Sequence, residues 1–257
     1  MNLSAPSPSQ DFSGPRPSFF KKLILRLFLL AAAAGLFVWF GFQFVLPPLI
    51  TQRVNEFVAK EWLTPLNSSK RTDWNTMMLF RKGGFLSDRT AYAHLQKHIH
   101  TGVDLQNRKG GGPGEPVYAA ATGKVYDVAI QAQGTRVTIQ HLLANGEIVY
   151  SSYIHVGGVE AVVGRRVTPW TVIARRFTKD ELKQYGQIYN HLHFQIHKGV
   201  FVREHTVQTS TIEQGKERFY DPETIFHQHY QELTPDWKQW IKDGKLTYWQ
   251  LLKILFT

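Results

Sequence analysis

The run of 20 residues from Leu27 to Leu46 carries no charge, and it decides how the chain is divided. A helix of about 20 mostly apolar residues matches the hydrocarbon thickness of a bilayer. Lys21-Lys22 open the apolar stretch, Arg26 is its one charge, and Pro47-Pro48 close it. A cleaved signal peptide competes, because Ala31 to Ala34 offer small residues to a peptidase. Such a cut would leave Leu36-Phe37-Val38-Trp39-Phe40 as a hydrophobic stub, and cleavable cores are usually only about 7 to 15 residues long. An uncleaved anchor is therefore expected over 23–46. Arg16, Lys21, Lys22 and Arg26 lie on its N-terminal side, which by the positive-inside rule stays cytoplasmic. Residues 1–22, rich in Ser and Pro, read as a disordered cytoplasmic tail.

The middle of the chain reads as strands. Arg136, Thr138 and Gln140 alternate with Val137, Ile139 and His141, and a further strand runs from Ile148 through Ile154. Residues two apart share a face of a strand, so this pattern suits sheet. Asn145-Gly146 between them predicts a hairpin, since both residues accept positive φ in a type I′ turn. A mainly β, antiparallel domain follows, with candidate site residues at strand ends and in neighbouring loops. Upstream, a short helix is expected around Val54 to Trp62, with breaks at Leu63-Thr64-Pro65, Asn67-Ser68-Ser69 and Gly83-Gly84.

Two short words carry the chemistry: His100-Thr101-Gly102-Val103-Asp104 and His191-Leu192-His193-Phe194. A catalytic zinc takes three protein ligands from imidazole and carboxylate and keeps a fourth position open. The two words supply enough for one such ion. Around the second, Leu192, Phe194 and Ile196 fall on one strand face and His191, His193, Gln195 and His197 on the other. A plain strand would hold His100 and Asp104 roughly 13 Å apart. Gly102 between them tolerates the turn or bulge that brings Asp104 back. His94 and His98 would share a face if Arg89 to Gln96 forms a helical turn that continues slightly. Without the Glu of His-Glu-x-x-His they read as an ordinary polar face. Ser151 and Ser152 precede His155 but lack the turn of a nucleophile elbow, which disfavours a serine hydrolase.

The 30 Lys and Arg against 20 Asp and Glu give a formal charge of +10. Basic chains often bind nucleic acid, but a domain outside the membrane would instead meet anionic headgroups or peptide carboxylates. The chain has no cysteine, which excludes disulfides and thiolate ligands and leaves histidine and carboxylate for a metal.

In order, these words resemble the lysostaphin/LytM-type zinc metallopeptidases, which cut the peptide part of bacterial cell walls. The resemblance covers roughly residues 98 to 200. Beyond the two histidine words it includes Gly114-Glu115-Pro116-Val117-Tyr118-Ala119-Ala120, Gly123-Lys124-Val125, Gly134 with Val137, Ile139 and His141, and Tyr153-Ile154-His155. It implies a zinc ion held by His100, Asp104 and His193, with His155 and His191 as catalytic histidines that do not hold the metal. Which of these two is the base stays open. It also implies a metalloendopeptidase acting on peptidoglycan cross-links or stem peptides; the apolar run adds the expectation of a membrane anchor, with the domain on the outer side of the cytoplasmic membrane. The alternative is a non-enzymatic regulator of other wall hydrolases, since some relatives keep the fold and lose metal ligands. This chain retains every ligand position.

The chain also departs from that pattern. The segment Trp170 to Asn190 is not the usual short glycine-rich one, and a helical turn capped by Thr178 and Glu181 is expected over Thr178 to Tyr185. Gln195 stands where Glu is common. The closing Asp-Pro comes only at Asp221-Pro222, after an insertion near Phe201 to Arg218. Two short helices separated by Gly244 should end the chain, the first opening at Thr234-Pro235. Trp237, Trp240, Trp249, Leu252, Leu255 and Phe256 give them an aromatic side, to be packed on the domain or set against a membrane interface. The expected division is thus tail 1–22, transmembrane anchor 23–46, linker and extension 47–97, LytM-like peptidase domain 98–222 and helical extension 223–257.

Overall fold

The computed structural model describes residues 17–66, 70–80, 82–89, 98–108, 111–201, 208–227 and 234–256. The chain forms two compact units, Met1–Gln52 and Arg53–Thr257. In the first, helix α1 (Pro17–Phe40) leads through a π-helical turn, Gly41–Val45, into α2 (Leu46–Phe57). Leu25, Phe28, Leu30, Phe37 and Trp39 are all exposed on α1. An unbroken apolar surface of this kind is common to membrane-spanning helices and signal sequences. The helical run Phe20–Phe57 is long and apolar enough to cross a membrane. It does not stop at Pro47-Pro48. Leu46 N–H donates to the Gly41 carbonyl across the π turn, and the two prolines then occupy the first turn of α2, where a missing N–H is tolerated. The helix expected around Val54 to Trp62 accordingly begins earlier and ends at Phe57. The helical turn expected at Arg89 to Gln96 falls largely outside the described residues, as do Asn67-Ser68-Ser69, most of the tail 1–22 and part of the 201–218 insertion.

The second unit is built on antiparallel sheet. Its strands are β1 (Met77–Leu79), β2 (Ile99–His100), β3 (Val103–Asn107), β4 (Pro116–Tyr118), β5 (Gly123–Gln131) and β6 (Gly134–Leu142), then β7 (Ile148–Gly157), β8 (Arg166–Val167) and β9 (Val172–Arg176). After helix α3 (Lys179–Tyr185) come β10 (Leu192–Lys198), β11 (Gln208–Thr209), α4 (Ile212–Arg218), β12 (Phe219–Tyr220), α5 (Pro222–His227), α6 (Trp237–Lys242) and α7 (Tyr248–Phe256). Among the described residues the main sheet runs β1-β3-β10-β7-β6-β5-β8, with β12 on β10 and with β9 joining β4 to β7. β2 pairs with β11 in a separate small sheet. Leu105, Val137, Ile139, Tyr153, Leu192, Phe194 and Ile196 are almost wholly buried and form the core around β10.

The β6–β7 connection is a hairpin at Asn145-Gly146, though not a type I′ turn. Gly146 has φ +86°, Asn145 is not among the positive-φ residues, and Gly146 N–H donates to Leu143 O at 2.9 Å. This is a longer loop built around an ordinary turn that ends in a left-handed glycine. A Cβ on Gly146 would lie 2.4 Å from the ring of Trp240, so α6 seats itself on this turn. Helix α6 opens two residues later than Thr234-Pro235 suggested. Asp236 is the cap, accepting from Gln239 N–H at 3.1 Å, because a carboxylate satisfies the orphan donors of a first turn. Trp237, Trp240, Leu251, Ile254 and Leu255 are packed inside, while Trp249 and Phe256 remain outside. The cap expected on α3 is present in full: Thr178 accepts from Glu181 N–H, and the Glu181 carboxylate accepts from Thr178 N–H at 2.7 Å.

Candidate metal centre

β10 lies between β3 and β7, with His193 in register with Asp104 on one side and Ile154 on the other. His100 ends β2, and Thr101-Gly102 turn the chain into β3. Asp104 thereby returns to His100, with Oδ1 3.1 Å from His100 Nε2. Gly102 does this by leaving space and not by a left-handed backbone, since its φ is not positive. A Cβ there would lie 2.4 Å from the Phe194 carbonyl oxygen and 2.8 Å from His193 Nε2.

His193 Nδ1 lies 2.9 Å from Asp104 Oδ1 and 2.8 Å from His100 Nε2. The outer nitrogens of both rings are occupied. His100 Nδ1–H donates to the Gly84 carbonyl at 3.0 Å, and His193 Nε2–H to Gln195 Oε1 at 2.9 Å. Each ring then turns a lone pair inward. Three acceptor atoms lie within 4.8 Å of one another, an arrangement that is repulsive unless a cation sits among them. Two imidazoles and a carboxylate, all buried, fit a zinc ion. Burial would raise the Asp104 carboxyl, but His191 and His100 beside it hold it well below the usual carboxylate range. Burial lowers the pKa of His193. Both groups thus stand in the protonation state a metal requires.

The other two histidines adjoin this set. His191, in the turn before β10, has Nε2 3.3 Å from Asp104 Oδ1, and its Nδ1 is buried with no hydrogen-bond partner among the described residues. The His155 ring centroid is 5.0 Å from that of His191 and 6.4 Å from that of His193. Strand alternation alone would not put it there. Tyr153 pairs with Phe194 and shares its face, so a regular strand would direct His155 to the same face, away from His193. The register between β6 and β7 shifts at Thr135/Val137, so that Ile154 and His155 together oppose Arg136. His155 takes φ +64° at this bulge and is re-aimed to the histidine face. Its Nδ1–H donates to Gln133 O at 3.0 Å. Burial, with His191 adding to it, pushes its pKa down to about 3.

Three neighbours had no signature in the sequence. Arg89 Nη2 lies 2.5 Å from Asp104 Oδ2, leaving Oδ1 to the histidines. The Phe80 ring stacks on His191 at 5.0 Å, and the Tyr189 ring lies 4.6 Å from His155. Each comes from a loop without a motif; proximity of Tyr189 to His191 in the chain was the one available hint. Tyr153 packs in the core instead of lining the site, its hydroxyl accepting from Ala120 N–H at 2.7 Å. Ser151 does sit 2.7 Å from His141, but both are buried on the core side.

An antiparallel sheet thus presents two histidines and an aspartate at adjoining strands as a candidate site for one metal ion. Residues 98–209 match the family model of peptidase family M23, so this segment carries the lysostaphin/LytM-type domain. Among solved structures, the catalytic domain of lysostaphin from Staphylococcus simulans is similar at 19% identity, covering 60% of this chain and 95% of that one, with TM-score 0.41. The solution structure of lysostaphin is similar at 18% identity, over 60% and 52% of the two chains, with TM-score 0.41. A zinc-containing peptidase from Vibrio cholerae is similar at 21% identity, over 54% and 37%, with TM-score 0.40. The chain thus matches about half the length of lysostaphin (52%) and a smaller share of the Vibrio cholerae peptidase (37%). No match is found among curated proteins.

Proposed function

We propose that this protein is a membrane-anchored zinc endopeptidase that hydrolyses peptide bonds of peptidoglycan on the outer side of the cytoplasmic membrane. The observation that carries the reading is the convergence of His100, Asp104 and His193, with lone pairs facing inward and their outer nitrogens hydrogen-bonded elsewhere. These three would hold a zinc ion, which would supply Lewis acidity for a scissile carbonyl and for an activated water near neutral pH. The remaining work belongs to the chain. His155, neutral through burial and donating Nδ1–H to Gln133, keeps the Nε2 lone pair to accept a hydrogen bond from the attacking water. His191 has a buried acceptor, Nδ1, with no partner among the described residues, which suits a group whose partner is water or substrate. Between them these imidazoles hold the water, take its proton and return it to the leaving amine. Phe80 stacks on His191 and Tyr189 packs at a tilt against His155, which fixes the two rings. The retained ligand set supports an enzyme over a non-enzymatic regulator. The exposed apolar α1, with basic residues on its N-terminal side, supports anchoring with the domain outside.

The test is digestion of purified peptidoglycan by the full chain in detergent with zinc, followed by mass analysis of the fragments. Wild-type protein should release fragments cut at peptide bonds, and His193→Ala should neither retain zinc nor cleave. Zinc bound as tightly by His193→Ala as by wild type would overturn the ligand set, and intact peptidoglycan after digestion by zinc-loaded wild type would favour the regulator.

A further inference from the structure

His193, Gln195 and His197 are alternate residues on one face of β10, and their side chains are joined end to end. His193 Nε2–H donates to Gln195 Oε1 at 2.9 Å, and Gln195 Nε2–H donates to His197 Nε2 at 2.7 Å. Thr101 Oγ1–H donates to the same Gln195 oxygen at 3.0 Å. Ser152 Oγ lies 3.3 Å from His197 Nε2 and 3.2 Å from Thr138 Oγ1, which carries the chain across β7 to β6. Thr101, Thr138, Ser152, His193, Gln195 and His197 are all at least 98% buried.

We infer that Gln195, locked by Thr101 and His197, is a positioning residue that fixes the tautomer and rotation of the metal-ligating His193. The inference rests on the zinc reading above. An amide has an acceptor end and a donor end, so this chain of bonds has one direction. With its oxygen toward His193 and Thr101, Gln195 requires the proton on His193 Nε2 and leaves Nδ1 free to bind metal. Turned over, it would present N–H to His193 Nε2, drive the proton to Nδ1 and oppose binding. His197 decides between the two arrangements by offering a lone pair to the amide nitrogen. A carboxylate has acceptors at both ends and could not bond His197 in this way unless that histidine also moved its proton. The middle of the first histidine word acquires a purpose here. Thr101 secures the Gln195 oxygen, while Gly102 leaves room, since a Cβ would lie 2.8 Å from both Gln195 Cβ and His193 Nε2.

The experiment measures zinc affinity by chelator competition on the full chain in detergent, with thermal unfolding of the metal-free protein alongside. Gln195→Met keeps length and burial but loses both polar ends, and is expected to bind zinc about 10- to 100-fold more weakly. Gln195→Glu should fall between Met and wild type, and the deficit should change when His197→Gln is added, because the two positions share one bond. Ser151→Ala, an equally buried polar position on the opposite face, serves as control: it should lower thermal stability and leave zinc affinity unchanged. Wild-type zinc affinity in Gln195→Met would overturn this inference alone. A wild-type chain that takes up no zinc would overturn the metal reading, and this inference with it.

Discussion

His141 offers a prediction that is independent of the metal. Its ring is 99% buried, with Nδ1–H donating to Thr122 O at 2.8 Å, Nε2 accepting from Ser151 Oγ at 2.7 Å, and Trp62 packed at 4.9 Å. Burial drives its pKa from 6.5 down to about 4, against the smaller opposing effect of the Thr122 bond. The unfolded chain therefore binds a proton at this position between these two values while the folded chain does not. Folding stability from this group is fully present above pH 6.5 and is lost as pH falls toward about 4. At 1.36 kcal/mol per pH unit the whole loss is about 3 kcal/mol, of which about 2 kcal/mol is gone by pH 5. His141→Gln keeps one donor and one acceptor and cannot titrate. Denaturant unfolding of both proteins in detergent, followed by tryptophan fluorescence, should show wild type ahead near neutral pH and its lead shrinking by about 2 kcal/mol at pH 5. His155 and His193 weaken both proteins equally on acidification and drop out of the difference. A lead that is the same at both pH values would refute the claim that the buried ring resists protonation.

Other outcomes follow from the geometry. His155→Asn, chosen because Asn tolerates a left-handed φ, should keep zinc and the fold and lower peptidoglycan hydrolysis by about 10²-fold or more; loss of zinc would make His155 a ligand. Gly102→Ala should destabilise the domain by about 1–3 kcal/mol and release zinc, read by thermal unfolding and metal analysis, because the new methyl meets backbone of β10. Thr178→Ala should cost about 1 kcal/mol through the lost cap of α3 and leave zinc content unchanged. Full-length protein should stay with membranes through salt and carbonate washes, with a C-terminal tag digested only from the outer side; a shortened soluble product beginning near Gly35 would show a cleaved signal instead.

The strands were legible because alternation records which face is apolar, although the polar face of β10 is buried as well. The runs around Val137 and Phe194 read as sheet, and the core lies where they indicated. The metal-ligand candidates were legible because chemistry restricts them to few residue types at fixed spacing. Helix ends were harder. Pro47-Pro48 read as a stop, yet the π turn before them gave the helix a new first turn. Asp236 displaced Thr234 as a cap because local sequence alone does not rank two adjacent capping residues. Arg89 and Phe80 were invisible, since their roles depend on where a loop passes in space and no spacing rule encodes that.

The bulge in β7 makes His155 a matter of parity. Which face a strand residue occupies depends on whether an odd or even number of positions separates it from a fixed point, and the extra residue at Ile154 changes that count once. Inserting one residue beside Arg136 in β6 would give Ile154 and His155 separate partners and remove the bulge, while leaving every histidine and aspartate of the site in the sequence. It would nevertheless send the imidazole, two positions after Tyr153 in a regular strand, to the face of Tyr153 and the opposite side of the sheet from His193. A one-codon change could thus disable the site without altering any residue type by which such a site is recognised.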